Sequence, residues 1–268
     1  YAPKDAGRTE AMNGLPKARL FGLGLSMGSF EEHVAAIATL GKDRLSSYVC
    51  CVNVHMCMEA QDDPEFAAVV NGADLATADG MPILNSLNAC TGSKQERVAG
   101  NDLMPAVLAM AEKQDLGVFL QGGKQITLEA IVDRASKEYP ALRIVGTHSP
   151  PFRKATAQER VAEVDRIVAS GANIVLVSLG CPRQERWMAD MKGRVPAVML
   201  GVGGAFLLYA GQDRRAPKWM RDASMEWLFR LWLEPGRLWK RYLVTNTKFI
   251  LLRAKEGGRS RSQAARQR

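Results

Sequence analysis

A carboxylate, Asp79, stands where the short run ADLATA (73–78) gives way to Gly80, Met81 and Pro82. Asp-Gly is a common turn pair, because Asp can hydrogen-bond its own backbone and Gly tolerates positive φ. The same placement is how an α/β enzyme presents a carboxylate at the edge of its sheet. Three more apolar runs end in glycine: LQGGK (120–124), SLGCPRQE (178–185) and GVGGAF (201–206). Glycines there let backbone N–H groups approach a phosphate, and the following helix N-terminus favours its negative charge. Taken singly, each is equally well a tight turn. Together with Asp79 at one expected edge they mark a ligand site. Gly80, Met81, Gly122, Gly123, Lys124, Gly180, Pro182, Gly203 and Gly204 are its candidate binding positions. None of the runs completes G-x-G-x-x-G or G-x-x-x-x-G-K-[ST], so a dinucleotide enzyme or a P-loop NTPase is not supported.

These residues share an edge only if the segments around them alternate between strand and helix, and the sequence reads that way. LFGLGL (20–25), SYVCCVNV (47–54), ADLATA (73–78), GVFLQ (117–121), LRIVG (142–146), NIVLVSL (173–179) and AVMLGV (197–202) are strand-like. Ser29 and Glu32 form a capping box that opens a helix reaching about Leu40. A short helix follows Pro64, MPILNSLNA (81–89) is helical, and 101–113 is a helix capped by Asn101 or Asp102. Further helices cover 125–138, 156–169 and 183–192. This order predicts an α/β fold, a parallel sheet covered by helices on both faces. The layout is an extension over 1–16, a core over 17–211, a helical appendage over 212–256 and a tail over 257–268. The tail, GGRSRSQAARQR, holds no aliphatic residue larger than Ala and is expected to be disordered.

Composition narrows the function classes. With 268 residues, 47% of them hydrophobic, the chain can bury one large core plus an appendage. It has no apolar run of about 18 residues that would cross a membrane, and no charged-then-apolar leader. Its five cysteines are odd in number and form no C-x-x-C pair, which fits reduced thiols in a cytoplasmic compartment. His33, His55 and His148 lie far apart, with no metal-ligand spacing.

The net charge of +8 is unevenly placed. From Arg214 onward there are 15 Lys and Arg against 4 Asp and Glu, whereas the first 213 residues carry 21 against 24. Four of the five tryptophans (Trp219, Trp227, Trp232, Trp239) fall in the same basic segment. It reads as two helices broken at Glu234-Pro235-Gly236. Met225, Leu228, Phe229 and Trp232 stripe the first; Leu238, Trp239, Tyr242, Leu243, Phe249 and Ile250 stripe the second. The plain interpretation is two helices packed on the body with solvated basic faces. The sharper one is an interfacial unit whose aromatic and aliphatic residues enter the headgroup boundary while Lys and Arg meet anionic lipid.

The ordered set CVN (51–53), ADGMP (78–82), RVAGNDL (97–103), GGK (122–124), LGCPRQERW (179–187), GVGGAF (201–206), RAP-x-W (215–219) and EWLFRL-x-x-EP-x-R-x-x-x-RY (226–242) resembles the WecG/TagA/CpsF family over roughly residues 17–254. The resemblance implies a Rossmann-like core with a membrane-binding C-terminal appendage that completes the active site. It implies an inverting glycosyltransferase that moves a hexose from a UDP-sugar onto a sugar carried by undecaprenyl diphosphate. No metal or other cofactor is expected. By the same resemblance Asp79 is the base, Asn53 lies near the sugar, and Gly122, Gly123 and Lys124 shape the nucleotide side. Gln184 and Glu185 match the P-x-Q-E motif, with Glu185 as ligand contact or helix cap. Asn101 and Asp102 are ligands or only caps. Arg230, Arg237, Arg241 and Lys240, with Arg214 and Arg215 at the start of the appendage, would meet the leaving diphosphate or the membrane. One departure stands out: Cys51 replaces the family's usual Thr, and a thiol donates a weaker hydrogen bond than a hydroxyl. That points to UDP-glucose and the xanthan-type exopolysaccharide branch, with an N-acetylmannosaminyltransferase as the alternative. The expected location is the cytoplasmic face of the inner membrane, peripherally bound, with self-association open and no nucleic-acid partner. A nucleic-acid-binding protein and a non-catalytic lipid-binding scaffold are the rival classes; both account for the basic tail and neither for Asp79 among the glycine turns.

Overall fold

The computed structural model describes residues 14–153, 155–217, 219–220, 225–233, 235–236, 239 and 245–253. Arg237, Lys240, Arg241 and the tail therefore lie outside the described residues, as does the side chain of Arg230.

Six parallel strands form one sheet: β3 (Ser47–Val52), β4 (Leu75–Ala78), β5 (Val118–Gly122), β6 (Ile144–His148), β7 (Ile174–Ser178) and β8 (Val198–Gly201). Their spatial order is β4-β3-β8-β7-β5-β6. The strands are short and almost wholly apolar, as expected of a sheet buried on both faces. Alternation sorts their side chains. Cys50, Val52, Phe119, Val175, Val177 and Met199 join one core, with α3 (Pro64–Asn71), α7 (Ala157–Ala169) and α8 (Arg183–Met191). Val49, Cys51, Val118, Leu120, Leu176 and Leu200 join the other, with α1 (Phe30–Lys42), α5 (Gly100–Lys113), α6 (Gln125–Glu138) and α9 (Ala205–Tyr209). Fully burying one such side chain contributes about 1.5–3 kcal/mol, so two filled faces hold the sheet firmly.

The expected α/β class stands, and so does the Ser29–Glu32 capping box at the head of α1. Two local expectations do not. The run at 20–25 is not one strand but a hairpin: β1 (Lys17–Leu20) turns back through Phe21 and Gly22 into β2 (Leu23–Ser26). Both turn residues have positive φ, 51° and 79°, the signature of a two-residue turn matched to strand twist. Phe in that position gave no sequence signal. The hairpin lies along the outer strand β4, where Ser26 Oγ accepts the Ala76 N–H at 3.0 Å and so covers the sheet's edge. The second miss is α2 (Val54–Asp62), which starts straight after β3 where the run through Val54 had suggested strand.

In the C-terminal part, α10 covers Glu226–Leu233, and Pro235, Gly236 and Trp239, at and beyond the expected break, are helical as well. Residues 245–253 are helical. Phe249 is buried edge-on against Phe21, 5.5 Å between centroids, and Lys248 Nζ donates to Asp62 Oδ2 at 2.6 Å. Ile250, expected on the same stripe as Phe249, is instead 66% exposed beside Leu251. Neighbours in a helix are 100° apart, so Phe249 faces the body together with Thr245 and Leu252, at spacings of four and three.

Candidate active site

The C-terminal ends of the strands form one edge, and register fixes who stands beside whom. Val52 pairs with Ala78, so Asn53 and Asp79 follow on adjacent strands. Cys50 and Val177 both pair with Gly201, and Gly122 pairs with Ser178. The order along the edge is thus Asp79, Asn53, Val202–Gly203, Ser178, Gly122. Asp79 is half-buried; its N–H donates to Val52 O at 3.0 Å, and α4 (Met81–Thr91) begins two residues later with Gly80 as its N-cap.

Asn53 caps α2, its Oδ1 accepting the Met56 N–H at 3.1 Å, which leaves its amide NH2 as the end able to meet a ligand. Cys51, one strand position earlier, is only 4% exposed. It points into the core under α5, where Gly100 leaves it room. Burial, and then the Asp79 carboxylate, push its thiol pKa up, against a hydrogen bond with Thr77. A thiol so enclosed offers little surface to a sugar.

The glycine half of the edge is built differently. A Cβ on Gly122, whose φ is 101°, would lie 2.3 Å from Ser178 O, so only glycine fits. Gly123 N–H donates to Ser178 O at 3.0 Å and its carbonyl accepts from Ser149 Oγ at 2.7 Å. Gly203 N–H donates to Val177 O at 3.2 Å and its carbonyl accepts from Ser178 Oγ at 2.9 Å. These two peptides, expected to cradle phosphate, spend their polar groups holding neighbouring loops together. Gly204 merely caps the five-residue α9.

Phosphate-facing capacity lies instead at helix starts. Where α1, α2, α3 and α7 are capped by the side chains of Ser29, Asn53, Asp63 and Thr156, the helices α4, α5, α6 and α8 begin at Gly80, Ala99, Lys124 and Pro182 with no side-chain cap. No side chain takes up their first N–H groups, but several are bonded to backbone: Asp102 N–H donates to Ala99 O at 3.0 Å, Thr127 N–H to Lys124 O at 2.9 Å and Gln184 N–H to Gly180 O at 2.8 Å; any left over can meet water or an anion. Lys124 is exposed and adds a positive charge at the head of α6.

Gln184 and Glu185 sit in the first turn of α8, and the cap there is Pro182, so Glu185 is not the cap. Both are buried, at 4% and 0% exposure, and Gln184 Nε2 donates to Glu185 Oε1 at 2.7 Å. Gln184 lies against Gly201 and Gly203, where any larger residue would displace it. Its Oε1 and Glu185 Oε2 are buried without a hydrogen-bond partner. Burial raises the Glu185 carboxyl pKa, opposed by hydrogen bonds from Gln184, its own N–H and the Cys181 thiol.

The expected cap of α5 is also corrected: Ala99 holds that position, not Asn101 or Asp102. Asp102 takes Arg97 Nη2 at 2.8 Å on one oxygen and Arg215 Nη2 on the other. Arg215 thus meets a carboxylate of the core, while Arg214 is exposed. Arg97 was overlooked in the sequence, although it opens the RVAGNDL run. Val98 N–H donates to Ala78 O at 3.1 Å and Thr77 Oγ1 donates to Val98 O at 2.7 Å, which roots Arg97 beside the end of β4. Among the described residues no three of His, Cys, Asp and Glu gather as a metal would require.

Comparison with known proteins fits this arrangement. The chain is 30% identical over 214 residues, 80% of its length and 81% of the relative's, to the N-acetylglucosaminyldiphosphoundecaprenol N-acetyl-beta-D-mannosaminyltransferase of Bacillus subtilis (strain 168). The model of the glycosyl transferase WecG/TagA/CpsF family matches residues 18–263, the body and the basic segment alike. The chain is therefore a member of the WecG/TagA/CpsF family of glycosyl transferases.

Proposed function

We propose that the protein transfers a sugar, with inversion, from a UDP-sugar to a saccharide carried on a polyprenyl diphosphate. The observation that carries this reading is Asp79, half-buried at the end of β4, next to Asn53 and just ahead of the uncapped α4. The acceptor hydroxyl gives its proton to the Asp79 carboxylate as its oxygen attacks the anomeric carbon in line, and UDP leaves with the bonding pair. Gln184 and Glu185, buried behind the glycine loop, shape the donor side without reaching it. Uncapped helix starts and Lys124, with Arg97, Arg230, Arg237, Lys240 and Arg241, offset the charge of the leaving diphosphate.

N-acetylmannosamine, the runner-up donor at the outset, is the better reading. The relative's name specifies N-acetylmannosamine as the transferred sugar and N-acetylglucosamine on undecaprenyl diphosphate as the acceptor. The argument for glucose, and with it the xanthan-type branch, rested on Cys51, whose burial takes it away from an open site. The test is a panel of UDP-N-acetylmannosamine and UDP-glucose with undecaprenyl-diphosphate-linked N-acetylglucosamine, read by mass spectrometry of the lipid. Turnover with the first is expected. Turnover with UDP-glucose alone would reject the donor, and none with any UDP-sugar would reject the enzyme.

Peripheral attachment to an anionic membrane belongs to the same proposal. Among the described residues no helix is long and apolar enough to cross a membrane. Trp232 is 74% exposed in the basic segment, with Trp219, Trp239, Ile250 and Leu251 also exposed. Such residues gain from a headgroup boundary, and each nearby Lys or Arg adds roughly 1 kcal/mol against anionic lipid.

A further inference from the structure

Asp102 gathers two arginines from separate parts of the chain. Arg97 comes from the stretch that runs alongside the end of β4, and Arg215 from the stretch that leads into the basic C-terminal segment. Each carboxylate oxygen of Asp102 already accepts from a guanidinium, so the residue is poorly placed to take a ligand's donors. It sits in the first turn of α5, where the helix N-terminus favours a negative group. The backbone on both sides is anchored. Val98, next to Arg97, is held by Ala78 and Thr77, and Ala216, next to Arg215, is buried. Only the guanidinium positions remain to be set, and Asp102 sets both.

We propose that Asp102 is a positioning residue: it fixes Arg97 at the edge where Asp79 lies and ties the root of the C-terminal segment to the same carboxylate through Arg215. The proposal rests on the glycosyl-transfer reading above. One negative and two positive groups leave a local excess of positive charge beside Asp79, which suits an approaching diphosphate. Arg97 is a long side chain, and the Asp102 carboxylate holds one nitrogen of its guanidinium. Held by Asp102 it presents a fixed fork, and a small misplacement of such a group can cost on the order of 10²-fold in rate.

The test uses the full chain, with UDP-N-acetylmannosamine and the lipid-linked N-acetylglucosamine acceptor in vesicles containing anionic lipid. Asp102→Asn should lower kcat about tenfold or more while UDP binding, measured by calorimetry, stays near wild type. Its thermal midpoint should move little, because Asn keeps the size of the carboxylate and one acceptor oxygen for the guanidinium groups. Arg215→Gln should give a smaller loss, and the double variant should be no worse than Asp102→Asn, since both act through one carboxylate. Asp102→Glu should recover part of the rate. Hydrogen exchange over residues 214–220 should quicken in Asp102→Asn and Arg215→Gln. Wild-type kcat in Asp102→Asn, additive losses in the double variant, or unchanged exchange would each overturn the proposal. If the wild type turns over no UDP-sugar, the transfer reading itself fails and the positioning role falls with it; the exchange measurement then reports separately whether the tie exists.

Discussion

The reaction edge has two halves that solve different problems. On the β4–β3 side, Asp79, Asn53 and Arg97 are half-buried, so their side chains can reach a ligand. On the β8–β7–β5 side, Gly123, Gly203 and Ser178 bond to one another, and Gln184 and Glu185 are sealed in the core. The first half offers reactive groups. The second offers a fixed shape backed by two buried acceptors, Gln184 Oε1 and Glu185 Oε2. An enzyme that must both deprotonate an alcohol and hold a large nucleotide gains from this separation, because the shape can stay rigid while the chemistry side admits a second substrate.

The sharpest way to break the comparison is at Asp79. Asp79→Asn should cut kcat by about 10²-fold or more while leaving UDP affinity intact, since general-base catalysis contributes that much. Weakened UDP binding with normal kcat would place Asp79 in the shape half instead. Gly122→Ala should show the reverse profile. The added Cβ meets Ser178 O, overpacking costs about 1–3 kcal/mol, and the loss should appear in donor KM and thermal stability before kcat. Asn53 can be split between its two ends. Asn53→Ser keeps a cap on α2 and removes the amide donors, whereas Asn53→Ala also loses about 1 kcal/mol of stability. Equal turnover in the two, both below wild type, would assign the amide to the ligand; wild-type turnover in Asn53→Ser would leave Asn53 a cap alone.

The smallest effect concerns pH. The folded-state pKa of Glu185 is raised, so between the unfolded carboxyl value of about 4.3 and the higher folded value the native state holds a proton that the unfolded chain has lost. Native stability should therefore fall as pH rises through that window, and Glu185→Gln should flatten the slope in chemical unfolding followed against pH. An unchanged slope would mean that Glu185 is not the group responsible.

Much of the β4–β3 half was legible in the sequence. A carboxylate at the end of an apolar run was legible, and Asp79 does follow β4, but Gly80 is an extended N-cap of α4 with φ −99° and not the positive-φ turn that Asp-Gly suggested. Arg97 was harder. Its value comes from Val98 lying along Ala78, a contact between segments about 20 residues apart in the chain that leaves no local pattern. The glycine half was legible as turns but misread in detail. Sequence shows that Gly123 and Gly203 can bend; it does not show that their N–H groups are already spent on Ser178 and Val177. The hairpin at Phe21 hid for a related reason, because a bulky residue at positive φ is rare enough to be discounted.

That hairpin carries one more consequence. Phe21, near the start of the described chain, is covered by Phe249, near its end. Contacts between such remote segments close a long loop, and elements with little buried area open at the lowest free energy. Synthesis adds a second reason, since the ribosome completes the hairpin and the sheet long before Phe249 emerges. The body would then wait with an apolar spot uncovered, and the helix over 245–253 would be the piece that seals it.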